Sequence, residues 1–154
     1  MDRELILAKK LARKYRTSDP FRICEEMGYT VLFVPLVGIR GFYQHTLRNH
    51  LIYIDEDLPE HVPRFVCAHE LGHSILHKGS NAIYLDSKTF QVVGKLERAA
   101  DRFAAGLLFP DDGELMEYAD YTLDQIGAVT GLSADLIRWR YEQMAPLNGK
   151  EHRL

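Results

Sequence analysis

Residues 64–77 read RFVCAHELGHSILH, and this stretch predicts the helix around which the rest of the chain is organised. It contains the pattern His-Glu-x-x-His, with His69 and His73 four positions apart. Residues at this spacing on a helix lie about 40° apart around its axis and one turn apart along it. The two imidazoles therefore share one face. The opposite face carries apolar side chains that would anchor the helix in a core: Phe65, Ala68, Leu71, Ile75 and Leu76.

Two imidazoles placed in this way can converge on one zinc ion at roughly 2.0–2.1 Å. Glu70 lies at the edge of the same face, where its carboxylate would reach a water molecule beside the metal rather than the metal itself. The motif therefore predicts His69 and His73 as zinc ligands and Glu70 as the catalytic base of a hydrolase. A surface cluster of His and Glu on an ordinary helix remains the alternative interpretation at this point.

A catalytic zinc site needs a third protein ligand and one open position for water. Glu97 is the candidate, in the stretch LERAADRFAAGLLFP at 96–110, which has the spacing of a second long helix. Asp101 lies four residues further along the same face, where it can accept a hydrogen bond from a ligand histidine. Alanines at positions 99, 100, 104 and 105 would let this helix approach the first one closely. Asp86 or another carboxylate of the intervening segment stays open as an alternative ligand.

Several other reactive side chains are expected to have structural roles and not to take part directly in catalysis. His77 continues the histidine face, but it lies about 12 Å along the helix from His69, so we expect it to contact the ligand histidines or line the pocket instead of binding zinc. Cys67 points off the ligand face and is expected to be a buried free thiol. Tyr43 and Tyr84 could stabilise an oxyanion, although core packing is the favoured interpretation for both. Four further histidines are interpreted as surface or turn residues: His45, His50, His61 and His152.

The pattern along the chain predicts an α+β fold in which a small antiparallel sheet packs on helices. The predicted helices cover residues 3–15, 19–28, 63–77 and 95–108, and 122–144 form a helical C-terminal hairpin. The predicted strands cover residues 29–34, 41–44 and 51–54, and the first of them is expected to be buried. Residues 78–92 are expected to form a long loop, and 145–154 a loose tail. We treat residues 1–154 as a single domain, with zinc between the His-Glu-x-x-His helix and the Glu97 helix.

The composition excludes several functional classes. The 154 residues are 46% apolar and 27% charged, which is typical of a globular protein. The formal net charge of -3 provides no broad positive surface, so direct nucleic-acid binding is not expected. No apolar run approaches the roughly 20 residues that span a bilayer. Charges interrupt the N-terminal stretch MDRELILAKKLARKY, which therefore lacks the apolar region of a signal peptide, and we expect a cytoplasmic protein without membrane contact.

The two motifs together resemble the ImmA/IrrE family of metallo-endopeptidases of bacteria, phages and mobile elements. The resemblance rests on RFVCAHELGHSILH at 64–77 and ERAADRFAAGLLFP at 97–110, and it extends to GFY at 41–43, LIYIDEDLP at 51–59 and TLDQIGAVTGLSADLIRWR at 122–140. The arrangement is similar to that of gluzincins, whose third zinc ligand is a glutamate. It fails the metzincin pattern, because Leu76 and Gly79 stand where that pattern needs Gly and His.

The resemblance implies a zinc enzyme that cleaves a helix-turn-helix repressor of a phage or mobile element at a specific site. Two positions depart from the family pattern. Asp101 stands where many members have Asn, and either side chain can hydrogen-bond a histidine. Ala99 stands where several members carry a second Glu, and its presence favours Glu97 as the ligand.

Two non-enzymatic alternatives remain open. Residues 123–144 have helix-turn-helix spacing, and Arg138 and Arg140 could meet phosphates, which would suit a DNA-binding regulator with a structural metal site. A zinc-bound module that recruits a repressor without cutting it is the other alternative. The lack of a basic patch favours the enzyme.

Overall fold

The computed structural model describes residues 2–77 and 90–144, and the side chains of these residues except 90–93. Within them the chain forms an α+β fold, as predicted. The helices are α1 (Arg3–Tyr15), α2 (Pro20–Glu26), α3 (Val62–Leu76), α4 (Phe90–Leu108), α5 (Asp112–Met116), α6 (Leu123–Thr130) and α7 (Ala134–Glu142). The strands are β1 (Thr30–Val34), β2 (Gly41–Thr46) and β3 (Asn49–Asp55).

The three strands form one sheet in the order β1-β3-β2. β2 and β3 form the antiparallel hairpin expected from the sequence, with Tyr43 opposite Ile52. β1 pairs with β3 in parallel, so the sheet is mixed and the expectation of a wholly antiparallel sheet is corrected. The physical reason is the path of the chain. β1 and β2 leave a gap between them in the sheet, and β3 later enters this gap and pairs with both.

β1 is an edge strand, and the prediction that it is buried is wrong. Leu32 is 37% exposed and Phe33 is 50% exposed. The central strand β3 holds the buried positions instead, because Ile52 and Ile54 are fully buried on the side that packs against α3. An apolar run of five or six residues indicates a strand. Whether that strand lies at the edge or in the centre of the sheet depends on which other strands pair with it, and the run alone does not show this.

α4 is the central helix, since it packs against both α3 and α1. Small residues allow both approaches. A Cβ atom on Gly72 of α3 would lie 3.0 Å from Phe103 of α4, and one on Gly106 would lie 2.8 Å from Leu5 of α1. α4 begins at Phe90, five residues before the predicted start, so residues 90–92 are helical and not part of a loop. Residues 78–89 lie outside the described part of the chain.

The helical pair near the C terminus is held by specific caps. Thr122 and Gln125 form a capping box at the start of α6, and the side chain of Ser133 caps α7 by accepting a hydrogen bond from Leu136. Gly131 ends α6 with a φ of 80°, a conformation that strongly favours glycine. Residues 145–154, predicted as a tail, lie outside the described residues.

Arg140 anchors α7 to the rest of the protein. Its guanidinium is fully buried and donates hydrogen bonds to the carbonyl oxygen of Phe109, at 2.9 Å, and to Asp112, at 2.8 Å. Arg138 is exposed and forms an ion pair with Asp135. The suggestion that Arg140 could meet phosphates is therefore wrong. No described helix is long and apolar enough to cross a bilayer.

Candidate active site

Three side chains predicted as metal ligands meet at one point between α3 and α4. The Nε2 atoms of His69 and His73 lie 3.1 Å apart. The carboxylate of Glu97 lies 3.0 Å from each of them, with one oxygen directed at each histidine. The three side chains thus form a triangle around one point, with closest contacts of 3.0–3.1 Å, and the two contacts to Glu97 end on different oxygens of its carboxylate.

This triangle fits a tetrahedral zinc ion. Bonds of 2.0–2.1 Å at tetrahedral angles separate ligand atoms by about 3.3–3.4 Å, and two histidines with one glutamate are a donor set of catalytic zinc. His69, Glu70 and His73 also offer atoms that all lie within 4.8 Å of one another and could hold a metal. Glu70, however, lies 4.0 Å from Nε2 of His69 and Glu97 only 3.0 Å. Glu97 is therefore the better placed carboxylate to complete the set.

The side chain of Asp101 orients His69. Its carboxylate lies 2.7 Å from Nδ1 of His69 and accepts a hydrogen bond from it, which turns Nε2 toward the centre of the triangle. Burial alone would lower the pKa of His69, but the hydrogen bonds with Asp101 and Glu97 outweigh burial and raise the pKa to about 9. Such a carboxylate partner increases the basicity of a histidine toward a metal.

His77 has the corresponding position beside His73. Their Nδ1 atoms lie 3.0 Å apart, so one ring donates a hydrogen bond to the other. Burial and the charge of His73 lower the pKa of His77 to about 4, which leaves its ring neutral and able to accept. Both predicted ligand histidines thus have Nδ1 engaged by a neighbour and Nε2 directed at the same point.

Glu70 is buried next to the triangle without belonging to it. Burial raises the pKa of its carboxyl group, while the charges of His69 and His73 and a hydrogen bond from the backbone N–H of Tyr43 act in the opposite direction. A carboxylate with a raised pKa is suited to taking up a proton and giving it back. The separation of 4.0 Å from Nε2 of His69 leaves Glu70 within reach of a water molecule at the centre.

The cleft in front of these side chains has a volume of about 930 Å³. Residues 38–44, which include most of β2, form one wall, and α3 forms the other together with Glu97 and Asp101 of α4. Gly41 allows the two walls to approach, because a Cβ atom there would lie 2.6 Å from Val66 of α3 and 2.6 Å from the carbonyl oxygen of Tyr53.

Within the described residues β2 is the last strand of the sheet, and one of its backbone edges faces this cleft. Arg40 accepts a hydrogen bond from the N–H of Asp55, and alternation along an antiparallel pair then directs the N–H and C=O groups of Gly41, Tyr43 and His45 away from β3. The nearness of the backbone N–H of Tyr43 to the carboxylate of Glu70, whose pKa it lowers, agrees with this alternation.

An aromatic cluster behind Tyr43 was not anticipated from the sequence. The hydroxyl of Tyr43 lies 2.5 Å from Nδ1 of His50, and the ring of His50 stacks on Tyr29 at 4.5 Å. The hydroxyl of Tyr29 donates to Ser74 of α3. Tyr43 is half-buried and lines the cleft, so it is more than a core residue, and His50 is not a simple surface histidine. The spacing of these residues along the chain did not predict the cluster, because its members come from four separate segments.

The remaining candidates have simpler outcomes. Cys67 is fully buried and free, as predicted, with its sulfur 3.8 Å from that of Cys24. The contact with Cys24 and burial raise the pKa of its thiol, which disfavours the reactive thiolate. Tyr84 and Asp86, the alternative oxyanion and ligand candidates, lie outside the described residues.

Comparison with known proteins agrees with this geometry. The chain matches the peptidase family described as the IrrE N-terminal-like domain over residues 24–141. A protein of Bacillus phage phi105 named "Uncharacterized immunity region protein 2" is 36% identical over 131 residues, which cover 83% of this chain and 82% of that protein. "Metallopeptidase ImmA" of Bacillus subtilis strain 168 is 26% identical over 147 residues, which cover 92% of this chain and 86% of that protein.

The family match confirms the resemblance that the two motifs suggested. It includes the whole of α3 and α4, the helices that bring His69, His73 and Glu97 together. The chain therefore belongs to the ImmA/IrrE family and is a metallopeptidase.

Proposed function

We propose that this metallopeptidase is a zinc endopeptidase that cuts a helix-turn-helix repressor at one accessible segment. His69, His73 and Glu97 hold the zinc ion, and Glu70 is the catalytic base. The observation that carries this proposal is the triangle of two histidine nitrogens and one carboxylate, with closest contacts of 3.0–3.1 Å, open toward a cleft that also contains Glu70.

Zinc bound at this point would polarise the carbonyl group of the cleaved bond and acidify a water molecule. Glu70 takes the proton from that water and delivers it to the nitrogen of the departing amine. Burial suits Glu70 to this role, since it raises the pKa of the carboxyl group and so makes the carboxylate a stronger base, able to hold the proton until it passes to the amine.

Asp101 and His77 act through the ligand histidines. Asp101 holds the ring of His69 by its Nδ1 atom, and His77 contacts the ring of His73 in the same way. Partners of this kind fix the ring orientation and the protonated nitrogen, and their loss typically weakens metal binding.

The free edge of β2 gives the cleft its selectivity for extended peptides. A substrate segment can add to this edge as a further strand and use the outward backbone groups of Gly41 and His45 for hydrogen bonds. A folded protein offers such a segment only at an edge, a linker or a locally opened region, because its other backbone groups are already paired. We therefore expect slow cleavage of a well-folded substrate and faster cleavage when the target segment is loosened.

Three considerations support a repressor as the substrate. The family resemblance implies one, one relative is named an immunity region protein, and another is named ImmA. The reaction would then occur in the cytoplasm, where such repressors act. Buried Arg140 argues against a direct role of α7 in binding DNA.

The test is to mix the zinc-loaded protein with the helix-turn-helix repressor encoded beside its gene and to measure intact masses. Two fragments should form, and neither a chelator-treated sample nor the Glu70→Gln variant should produce them. Cleavage of many unrelated unfolded proteins at comparable rates would contradict narrow specificity and indicate a general protease. Binding of an intact repressor, with no cut, would favour the recruiting module instead.

A further inference from the structure

Arg40 lies at the rim of the cleft, immediately before β2. Its guanidinium lies over the ring of Phe65, 5.5 Å from the ring centre, and the ring of Phe65 lies 5.9 Å from that of His69. An extended peptide rises about 3.3 Å per residue, so about three residues span the distance from His69 past Phe65 to Arg40. Arg40 is therefore within reach of a substrate residue close to the cleaved bond.

The guanidinium of Arg40 has no acidic partner within the described part of the chain, where no carboxylate lies within 4.0 Å of it. Arg138 and Arg140, in contrast, each pair with an aspartate. Stacking on an aromatic ring uses the face of a guanidinium and leaves the N–H donors at its edge available. These donors match a carboxylate, which they can bind through two parallel hydrogen bonds.

The direction of β2 determines which part of a substrate meets Arg40. β2 and α3 run in the same sense, since Gly41 lies against Val66, and the backbone of Tyr43 lies near Glu70 further along both elements. A strand added antiparallel to β2, the commoner pairing, runs the opposite way. The C-terminal part of this substrate strand then lies beside the beginning of β2, where Phe65 and Arg40 are found.

We infer that Arg40 is a specificity-determining residue that binds a carboxylate on the C-terminal side of the cleaved bond, about three residues from it. This inference rests on the proposed endopeptidase function. The carboxylate can come from two sources, an Asp or Glu side chain of the substrate or the C terminus of a short peptide.

The experiment uses random decapeptides in two libraries, one with amidated and one with free C termini. The zinc-loaded protein cuts each library, and mass spectrometry locates the cut sites. In the amidated library, Asp and Glu should be enriched about 10-fold at one position on the C-terminal side, as expected for a charge-assisted hydrogen bond. Enrichment only in the free library, at a fixed distance from the peptide end, would assign the carboxylate to the chain terminus.

Three variants separate this role from a structural one. Arg40→Ala should abolish the enrichment, and Arg40→Glu should replace it with Lys and Arg at the same position. Arg48→Glu makes the same charge change in the exposed turn of the hairpin, outside the cleft, and should leave the profile unchanged. Because Arg40 and Arg48 are both exposed, all three variants should fold and retain zinc.

The failures are distinguishable. Cleavage without any acidic preference in either library, or an unchanged profile for Arg40→Glu, would overturn the role of Arg40 and leave the endopeptidase function intact. An acidic preference on the N-terminal side of the cut would overturn the orientation on which the inference depends. If neither library is cut, the test moves to the repressor: an Arg40→Glu variant that cuts the repressor as fast as the unchanged protein would overturn the role of Arg40. A zinc-loaded protein that cuts neither the libraries nor the repressor would contradict the endopeptidase function itself.

Discussion

His69 and Asp101 lie 32 positions apart in the chain and on different helices, yet Nδ1 of His69 and Oδ1 of Asp101 are separated by 2.7 Å. This contact exists only because α3 and α4 pack closely, with Gly72 of α3 against Phe103 of α4. The orientation of a predicted metal ligand thus depends on the packing of two helices as well as on the motif that carries it.

Asp101→Ala should weaken zinc affinity by about 10–100-fold while leaving the fold intact, because the ring of His69 loses the partner that orients it. Asp101→Asn should lose much less, since an amide oxygen can still accept from Nδ1. Competition with a chromogenic chelator measures both affinities. Equal losses in the two variants would show that negative charge, not orientation, is what Asp101 supplies.

Glu97→Ala should lose both zinc and activity, since two histidines alone hold zinc weakly. Metal content after gel filtration is the measurement, and Glu26→Ala, an exposed glutamate on α2, is the matched control. If Glu97→Ala retained zinc while Asp101→Ala lost it, the two carboxylates would have to exchange roles.

Glu70→Gln should keep the metal and the fold but reduce kcat by about 100- to 10,000-fold, because it removes a proton acceptor of nearly the same shape. Zinc content and cleavage of the repressor are measured on one preparation of the variant. Loss of zinc together with activity would make Glu70 a ligand.

Arg140→Met should lower the free energy of unfolding by about 1–3 kcal/mol, because it leaves the buried carbonyl of Phe109 without its donor and removes the ion pair with the half-buried carboxylate of Asp112. Arg138→Met, in the exposed pair with Asp135, should change stability by less than about 0.5 kcal/mol. Urea unfolding of the zinc-loaded proteins compares them. Equal small effects would mean that solvent or undescribed residues compensate for the loss of Arg140.

Gly106→Ala should destabilise the protein by about 1–3 kcal/mol, since the added methyl group would lie 2.8 Å from Leu5 and 3.1 Å from Ala8 of α1. Among the described residues, the methyl group of Gly94→Ala on the same helix would meet only the flexible end of Arg98, at 3.4 Å, so this change should stabilise by up to about 1 kcal/mol. Thermal unfolding of both variants gives the comparison. A stabilised Gly106→Ala would show that α1 can move away from α4 at little cost.

Local chemistry made part of the fold predictable from the sequence. Helices predicted near 19 and 122 begin as expected, because Asp19 and Thr122 are short polar residues that cap helices. The strands predicted at 41–44 and 51–54 are close in the chain, which favours an antiparallel pair, and the helical spacing of His69 and His73 marked a shared face. Each of these inferences depends on residues within one or two turns of each other, so a single stretch of sequence contains all the information required.

Features that depend on contacts between residues far apart in the chain could not be predicted from the sequence. The apolar run of β1 was assigned a buried position, whereas parallel pairing with β3 placed it at an edge, with Phe33 half exposed. Arg40 carried no motif, and only the docking of β2 on α3 brings it over Phe65 and near His69. The early start of α4 was missed because residues 90–94, FQVVG, have no clear helical period and include valine and glycine, which have low helix propensity.

The triangle of His69, His73 and Glu97, the proposed zinc ligands, has a thermodynamic consequence for the molecule as a whole. His69 and His73 belong to α3 and Glu97 to α4, so an ion bound to all three cross-links segments that only the native packing brings together. Such an ion favours the folded state through mass action, by about 2.7 kcal/mol when its free concentration is 100 times the dissociation constant. The level of available metal in the cell would then regulate how many molecules are folded and long-lived as well as how many are active.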